Sequence, residues 1–164
     1  MENLKKKKPL KRHPALIPLS KDHHFGLLLC WKIRMGIKKE IEEERIATYV
    51  DYFFQNHLLT HFEEEEKYIF TLLDEKDEKR KKAERQHRKI GRLVEKLSTE
   101  PDHREVTLGQ IEEEVEGHIR FEERDLFPYI QTTQNETQLE KLRKKIEEIH
   151  HATNEIWEDQ FWEK

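Results

Sequence analysis

Histidine and glutamate recur together on the predicted core faces of this sequence, and both are residue types that bind metal ions. His61 and Glu65 are four residues apart, as are His118 and Glu122, so each pair projects from one face of a helix. An imidazole nitrogen beside a carboxylate oxygen suits iron, manganese or zinc better than calcium, magnesium or copper(I). A carboxylate can also bridge two metal ions held ~3.5–4 Å apart. The two pairs therefore indicate a metal site with room for two ions.

Both pairs lie in an internal repeat. Residues 61–70, HFEEEEKYIF, align without gaps on residues 118–127, HIRFEERDLF. The histidine, two glutamates and the final phenylalanine coincide, and Ile69 matches Leu126. Chance repetition in glutamate-rich helices explains the glutamates but not the register of the histidine and phenylalanine. The repeat therefore strengthens the case for a built site.

Five segments of helical composition must position these residues. We place them near residues 19–37, 41–73, 78–98, 106–131 and 136–161. Apolar side chains recur in them every three or four residues, the spacing of a helix face turned towards a bundle core. Glycine and proline are scarce, at five residues each, which argues against a turn-rich β protein. The pattern predicts an all-α fold: an up-down antiparallel four-helix bundle with an additional C-terminal helix.

Each of the first four apolar stripes contains a histidine, although one buried histidine is by itself usually structural. Burying an ionisable group costs several kcal/mol unless it is paired, hydrogen-bonded or bound to metal. Counting residues from the predicted turns brings the four stripes to one level of the bundle. The histidines are His23, His61, His87 and His118. Together with Glu65 and Glu122 they are too few to fill the coordination of two metal ions, so solvent or a small ligand must complete it.

Two positions leave alternatives open. His23 and His24 compete for the first place, and we favour His23 because it shares a face with Cys30 and Ile33. His57 lies one turn before His61 and is a candidate hydrogen-bond donor to a metal ligand. His150 and His151 lack a carboxylate at the spacing of the other pairs, so we do not count them as ligands.

Composition narrows the class of protein. The chain has 164 residues, of which 40% are charged, with 31 basic and 35 acidic residues giving a net charge of −4. That balance argues against a nucleic-acid partner. The longest apolar run, residues 27–31, is too short to span a membrane. The single cysteine, Cys30, cannot form an internal disulfide, and no signal-peptide pattern opens the chain, so we expect a cytoplasmic protein.

The two ends of the chain differ from the bundle. Residues 1–14 are rich in lysine and contain two prolines, which predicts a basic flexible arm preceding a single domain over residues 15–164. Near the other end, Trp157, Phe161 and Trp162 are expected to cap the bundle, with a homodimer contact as the alternative.

The motifs together resemble the hemerythrin-like, or HHE cation-binding, domain over roughly residues 19–131. The resemblance is carried by His61-xxx-Glu65 before Phe70, His118-xxx-Glu122 before Leu126-Phe127-Pro128, the opening Lys21-Asp22-His23-His24, and the isolated His87. It implies an up-down four-helix bundle around a non-haem di-iron centre. It also implies the ligands His23, His61, Glu65, His87, His118 and Glu122, with Glu65 and Glu122 as bridges. Two iron ions per chain are expected, with zinc or manganese as alternatives.

The resemblance is weaker to oxygen-carrying hemerythrins, whose third helix offers two histidines four residues apart. The corresponding positions beside His87 are Ala83 and Gly91, and neither side chain can bind metal. We therefore expect a centre that binds or reacts with O₂, NO or peroxide and oxidises quickly in oxygen. Other functions remain open: an enzyme reducing peroxide or NO, a non-redox module for iron handling or structural zinc, or a helical protein-interaction bundle.

Overall fold

The computed structural model describes residues 11–163, and the regular structure of these residues is helical, without β-strands. Helix α1 spans Ile17–Lys38, α2 residues 43–72, α3 Glu78–Thr99, α4 residues 104–133 and α5 Glu136–Ile149. Short connections join the first four, so consecutive helices run antiparallel, and α4 packs along both α1 and α3. The predicted helical bundle is confirmed. Within residues 11–163, no helix is both long and apolar enough to cross a membrane.

Local sequence signals set the starts of two helices. Asp77 precedes α3 and accepts hydrogen bonds from the backbone N–H groups of Lys79 and Arg80. Its second carboxylate oxygen accepts a hydrogen bond from the Tyr129 hydroxyl at 2.6 Å, which ties the start of α3 to α4. Asn135 begins α5 with a capping box completed by Gln138. These caps fix where the helices begin and hence the level at which their inward side chains lie.

The core consists of two apolar clusters with a polar layer between them. One cluster contains Leu29, Ile33, Leu58, Phe62, Ile90 and Val115. The other contains Leu19, Ile69, Phe70, Ala83, Leu126 and Phe127. Along each of the first four helices, the histidine or glutamate singled out above lies between a residue of one cluster and a residue of the other. Apolar packing on both sides therefore isolates that layer from water.

Helices α2 and α4 are interrupted by wide π-helical turns. In α2 these turns span Phe54–Leu58 and Glu65–Ile69, and in α4 the turn spans Glu122–Leu126. A π turn inside an α-helix is rare and is found mostly at functional sites. Apolar spacing alone does not predict these turns.

The C-terminal helix is shorter than predicted. It ends at Ile149, and residues 150–163, here called the C-terminal strap, contain no helix. The strap is held by the bundle instead: Tyr52 Oη accepts a hydrogen bond from the backbone N–H of Ile156 at 2.8 Å, and Phe161 is buried in the first cluster. The predicted extension to residue 161 is wrong because these contacts outweigh the apparent helical spacing of Trp157 and Phe161.

A buried cation helps to hold the strap. Lys32 donates to Tyr49 Oη and to Glu155, each at 3.0 Å, and its ammonium lies 4.1 Å from the centre of the Trp162 ring. The Tyr49 hydroxyl also bonds to Glu155. Trp157 stacks on Tyr52 with 4.7 Å between ring centres. The C-terminal aromatic residues therefore pack on their own bundle.

The predicted basic arm lies mainly outside the described residues, which begin at residue 11. Its last part contacts the bundle. Arg12 donates to the backbone oxygen of Glu123 at 2.8 Å and to the Gln131 side chain at 3.2 Å. His13 Nε2 lies 2.9 Å from a carboxylate oxygen of Glu136.

Gly36 allows α1 to approach α2 and the strap closely. A Cβ atom at this position would lie 2.7 Å from Ile46 Cδ1 and 2.9 Å from Phe161 Cε1, and both side chains are buried. Gly36→Ala should therefore lower the free energy of unfolding by ~1–3 kcal/mol, the usual cost of overpacking. Urea unfolding followed by circular dichroism measures the change.

Gly109 in α4 provides the matched control, because nothing lies within 4 Å of its added Cβ. Gly109→Ala should raise the free energy of unfolding by ~1 kcal/mol, since alanine favours a helix interior over glycine. Equal changes in the two variants would contradict the close packing at Gly36.

Candidate metal centre

The structure brings the six residues singled out from the sequence into the polar layer between the two apolar clusters. All six side chains are buried, and the two glutamates are 0% exposed. They come from four helices: His23 from α1, His61 and Glu65 from α2, His87 from α3, and His118 and Glu122 from α4. The match in level that residue counting predicted is present in the fold.

These residues form two groups that share both glutamates. His23 and His61 belong to one group and His87 and His118 to the other, and Glu65 and Glu122 belong to both. In each group the candidate ligand atoms lie within 4.8 Å of one another. Two overlapping groups with shared carboxylates can hold two cations bridged by those carboxylates.

Each glutamate places its Oε1 atom between one histidine of each group. Glu65 Oε1 lies 3.2 Å from His61 Nε2 and 3.1 Å from His87 Nε2. Glu122 Oε1 lies 3.0 Å from His23 Nε2 and 3.1 Å from His118 Nε2. Neighbouring ligand atoms bound to one ion at ~2.1 Å are ~3.0 Å apart in octahedral and ~3.4 Å apart in tetrahedral coordination. The observed separations match such a shell.

Several polar atoms in this layer lack hydrogen-bond partners, which tests whether a cation fits. Glu65 Oε2 and Glu122 Oε2 are buried without any hydrogen bond. His61 Nε2 is also unpartnered, because its approach to Glu65 lacks hydrogen-bond geometry. An unsatisfied buried carboxylate oxygen is costly, and a metal ion would satisfy all three atoms. The residues present therefore fit a bound cation.

Three of the four imidazoles are oriented from outside the layer. The four Nε2 atoms point inward, and three Nδ1 atoms lie within hydrogen-bond distance of a side-chain oxygen, the arrangement that fixes ring orientation and tautomer in metal sites. The pairs are His23 with Glu123 at 2.8 Å, His61 with Asp22 at 3.0 Å, and His118 with Gln86 at 2.6 Å. His87 Nδ1 has no hydrogen-bond partner, because Glu66 Oε2 lies 3.6 Å away.

Aromatic rings complete the walls of the site. Phe62 stacks on His87 with 3.8 Å between ring centres and an angle of 15° between the planes. Phe70 packs against the same imidazole at 5.3 Å, and Phe127 stacks on His23 at 5.6 Å. These contacts limit ring rotation and exclude water. The phenylalanine common to both repeats, Phe70 and Phe127, therefore packs against a candidate ligand in each half.

The electrostatics of the layer favour positive charge. Burial lowers the pKa of His61, but Glu65 and Asp22 outweigh it and hold that pKa well above its ordinary value. Burial likewise opposes protonation of His118, yet Glu122 and Glu65 raise its pKa to about 9. Burial raises the pKa of Glu65, but the charge of His61 outweighs it and holds the pKa well below the usual range. The glutamates thus attract cations, whether protons on imidazole or a metal.

Both open alternatives from the sequence have a structural answer. His24 is exposed and packs edge-on against Phe25, whereas His23 is buried in the layer. His57 lies 3.4 Å from the Tyr52 hydroxyl and makes no hydrogen bond to a candidate ligand. The predicted role of His57 as a partner of a ligand belongs instead to Asp22.

A small cavity adjoins the layer. It leaves about 20 Å³ for the centres of water-sized molecules. One water needs ~10–15 Å³ by this measure, so the cavity holds one or two small molecules. His23, His61 and His118 contribute to its wall, and the rest is largely apolar: Gly26, Phe53, Leu58, Phe62, Val115 and Ile119.

A comparison with known protein families also indicates a cation-binding domain. The family model described as the hemerythrin HHE cation binding domain matches residues 32–130 and, in a second alignment, residues 84–159. The first match contains five of the six residues and begins after His23. No curated protein and no solved structure matches the chain. Because the first match covers more than half of the sequence, the chain belongs to the hemerythrin HHE cation-binding family.

Proposed function

We propose that this centre holds two iron ions and that it binds or reacts with O₂, NO or peroxide. The observation that carries the proposal is the sharing of Glu65 and Glu122 by both histidine groups. A carboxylate whose oxygen lies between two imidazoles of different groups is placed to bridge two ions. Mixed imidazole and carboxylate ligation, together with membership of this family, favours iron over calcium or magnesium.

The chain's own residues have defined tasks in this proposal. The four Nε2 atoms and the two glutamates would hold the ions, and the oxygens behind Nδ1 keep the imidazoles of His23, His61 and His118 in position. Iron, when bound, supplies the capacity to bind a small ligand and exchange electrons with it. Six protein side chains leave coordination positions for that ligand. The apolar clusters on both sides exclude bulk water from the layer.

The adjoining cavity supports a diatomic or similarly small ligand. Its space of about 20 Å³ for the centres of water-sized molecules leaves no room for an organic substrate, and its largely apolar wall suits uncharged O₂ or NO. The third helix adds no ligand at the neighbouring turns: Ala83 is buried in the second apolar cluster, and Gly91 has no side chain. The open positions therefore favour rapid oxidation over long-lived oxygen carriage.

The first test compares adjacent histidines. His23→Ala should lower the iron content of the purified protein from two ions per chain to one or fewer, because His23 Nε2 lies in one of the two groups. His24→Ala should leave the content unchanged, since His24 is exposed on the same helix. Elemental analysis of protein reconstituted without oxygen measures both. A loss of iron from His24→Ala alone would instead identify His24 as the ligand.

The second test follows oxidation. Anaerobic iron-loaded protein mixed with oxygenated buffer should pass rapidly to a stable oxidised visible spectrum. A spectrum that persists for hours and reverses when oxygen is removed would identify a carrier and contradict the expected oxidation. A protein that purifies with zinc and shows no change on iron loading would favour the non-redox alternative.

The third test addresses the cavity. Val115→Leu adds one carbon to the cavity wall and should slow the reaction with O₂ or NO several-fold at unchanged iron content, because Val115 lines that space. Val106 lies on the same helix and is 63% exposed, so Val106→Leu should have no effect. Stopped-flow absorbance measures both rates, and equal rates in all three proteins would show that the ligand enters elsewhere.

A further inference from the structure

A second cluster of metal-binding residue types lies outside the six-residue centre. It consists of Asp22 on α1, Glu64 on α2 and His150 on the strap. Their side chains are only 10–11% exposed, and their candidate ligand atoms lie within 4.8 Å of one another. His150 Nδ1 is 2.8 Å from Glu64 Oε2, and His150 Nε2 is 3.4 Å from Asp22 Oδ1. None of the three residues belongs to either group of the centre.

The cluster borders a cavity that is large enough for water ligands. This outer cavity leaves about 300 Å³ for the centres of water-sized molecules, far more than the inner one. His57 and His151 also contribute to its wall, as do Asn56 and Thr60. Asp22, His57, His61 and Thr153 line both cavities. The cluster therefore lies between the outer cavity, which can hold a hydrated ion, and the six-residue centre.

The charges around the cluster suit a cation. Among residues 11–163, no lysine or arginine forms an ion pair with Asp22 or Glu64, and the ionisable groups that pair with their carboxylates are imidazoles. The Thr153 hydroxyl donates to Asp22 Oδ1 at 3.3 Å. One imidazole with two carboxylates is a ligand set for Fe²⁺, Mn²⁺ or Zn²⁺. Two carboxylates and one neutral imidazole would give a divalent ion full charge compensation.

We propose that Asp22, Glu64 and His150 form a third cation site, which binds one divalent first-row transition ion at the mouth of the centre. Asp22 joins this site to the centre, because its other oxygen, Oδ2, lies 3.0 Å from His61 Nδ1. The competing interpretation is an ion-pair clasp in which His150 only fastens the strap to α1 and α2. The two interpretations differ in the number of ions that the chain binds.

Manganese binding to the full chain tests the site. Equilibrium dialysis against Mn²⁺, with metal counted by mass spectrometry, should give one ion more per chain for the wild type than for Glu64→Gln or His150→Ala. Removing a direct ligand should lower the affinity for that additional ion at least ~10-fold. Even the loss of a residue that only supports a ligand lowers metal affinity by ~10- to 100-fold. Glu64→Gln preserves shape, and circular dichroism checks that both variants fold.

His103→Ala is the control, since His103 is an exposed imidazole just before α4 that borders neither cavity and lies outside the three-residue cluster. It should bind as many ions as the wild type. Unchanged ion counts in both Glu64→Gln and His150→Ala would overturn the third site and leave the clasp. His118→Ala separates this result from the proposed function: it should lose ions from the centre while retaining the ion that Glu64→Gln loses.

Discussion

The burial of two carboxylates among four imidazoles is the constraint on which this fold depends. Glu65 and Glu122 are fully buried, and moving a charge out of water costs several kcal/mol unless its partners are well placed. Each glutamate meets that condition by placing one oxygen between imidazoles from two different helices. The layer cannot form unless all four helices align at one level. The apolar clusters on either side supply the stabilisation that holds this alignment.

The π turns show how two helices satisfy that constraint in the same way. In α2 and in α4, a histidine is followed one turn later by a glutamate, and the wide turn begins at that glutamate: Glu65–Ile69 and Glu122–Leu126. A π turn inserts extra backbone per turn and so shifts the face that the following residues present. Phe70 and Phe127 follow these turns, and each packs against an imidazole of the layer. The repeat in sequence is therefore also a repeat in backbone geometry.

Helical periodicity is enough to predict the bundle and the six residues of the layer. An ionisable residue within an apolar stripe can be recognised from the few residues on either side of it in the sequence. The residues behind the imidazoles were missed for the opposite reason. Asp22 lies 39 residues from its partner His61, and Gln86 lies 32 from His118, so only packing shows that they meet. The conformation of the strap could not be predicted either, because Trp157 and Phe161 have helical spacing but pack through individual contacts with the bundle.

The two halves of the layer are supported from different parts of the chain. His61 is held by Asp22, which also contacts Thr153 and His150 of the strap. On the N-terminal side, Glu123 lies against His23 and receives hydrogen bonds from Ser20 and Arg12.

By contrast, His87 and His118 are held within the bundle, by stacking on Phe62 and by the oxygen of Gln86. The inner cavity borders His23, His61 and His118 but not His87. The packing of both terminal segments therefore helps to position His23 and His61, the half of the layer that lies nearest to the cavity. The His87 ring on α3 instead packs against Phe62 and Phe70. A ligand in the cavity would approach the centre from the side whose order depends on the ends of the chain.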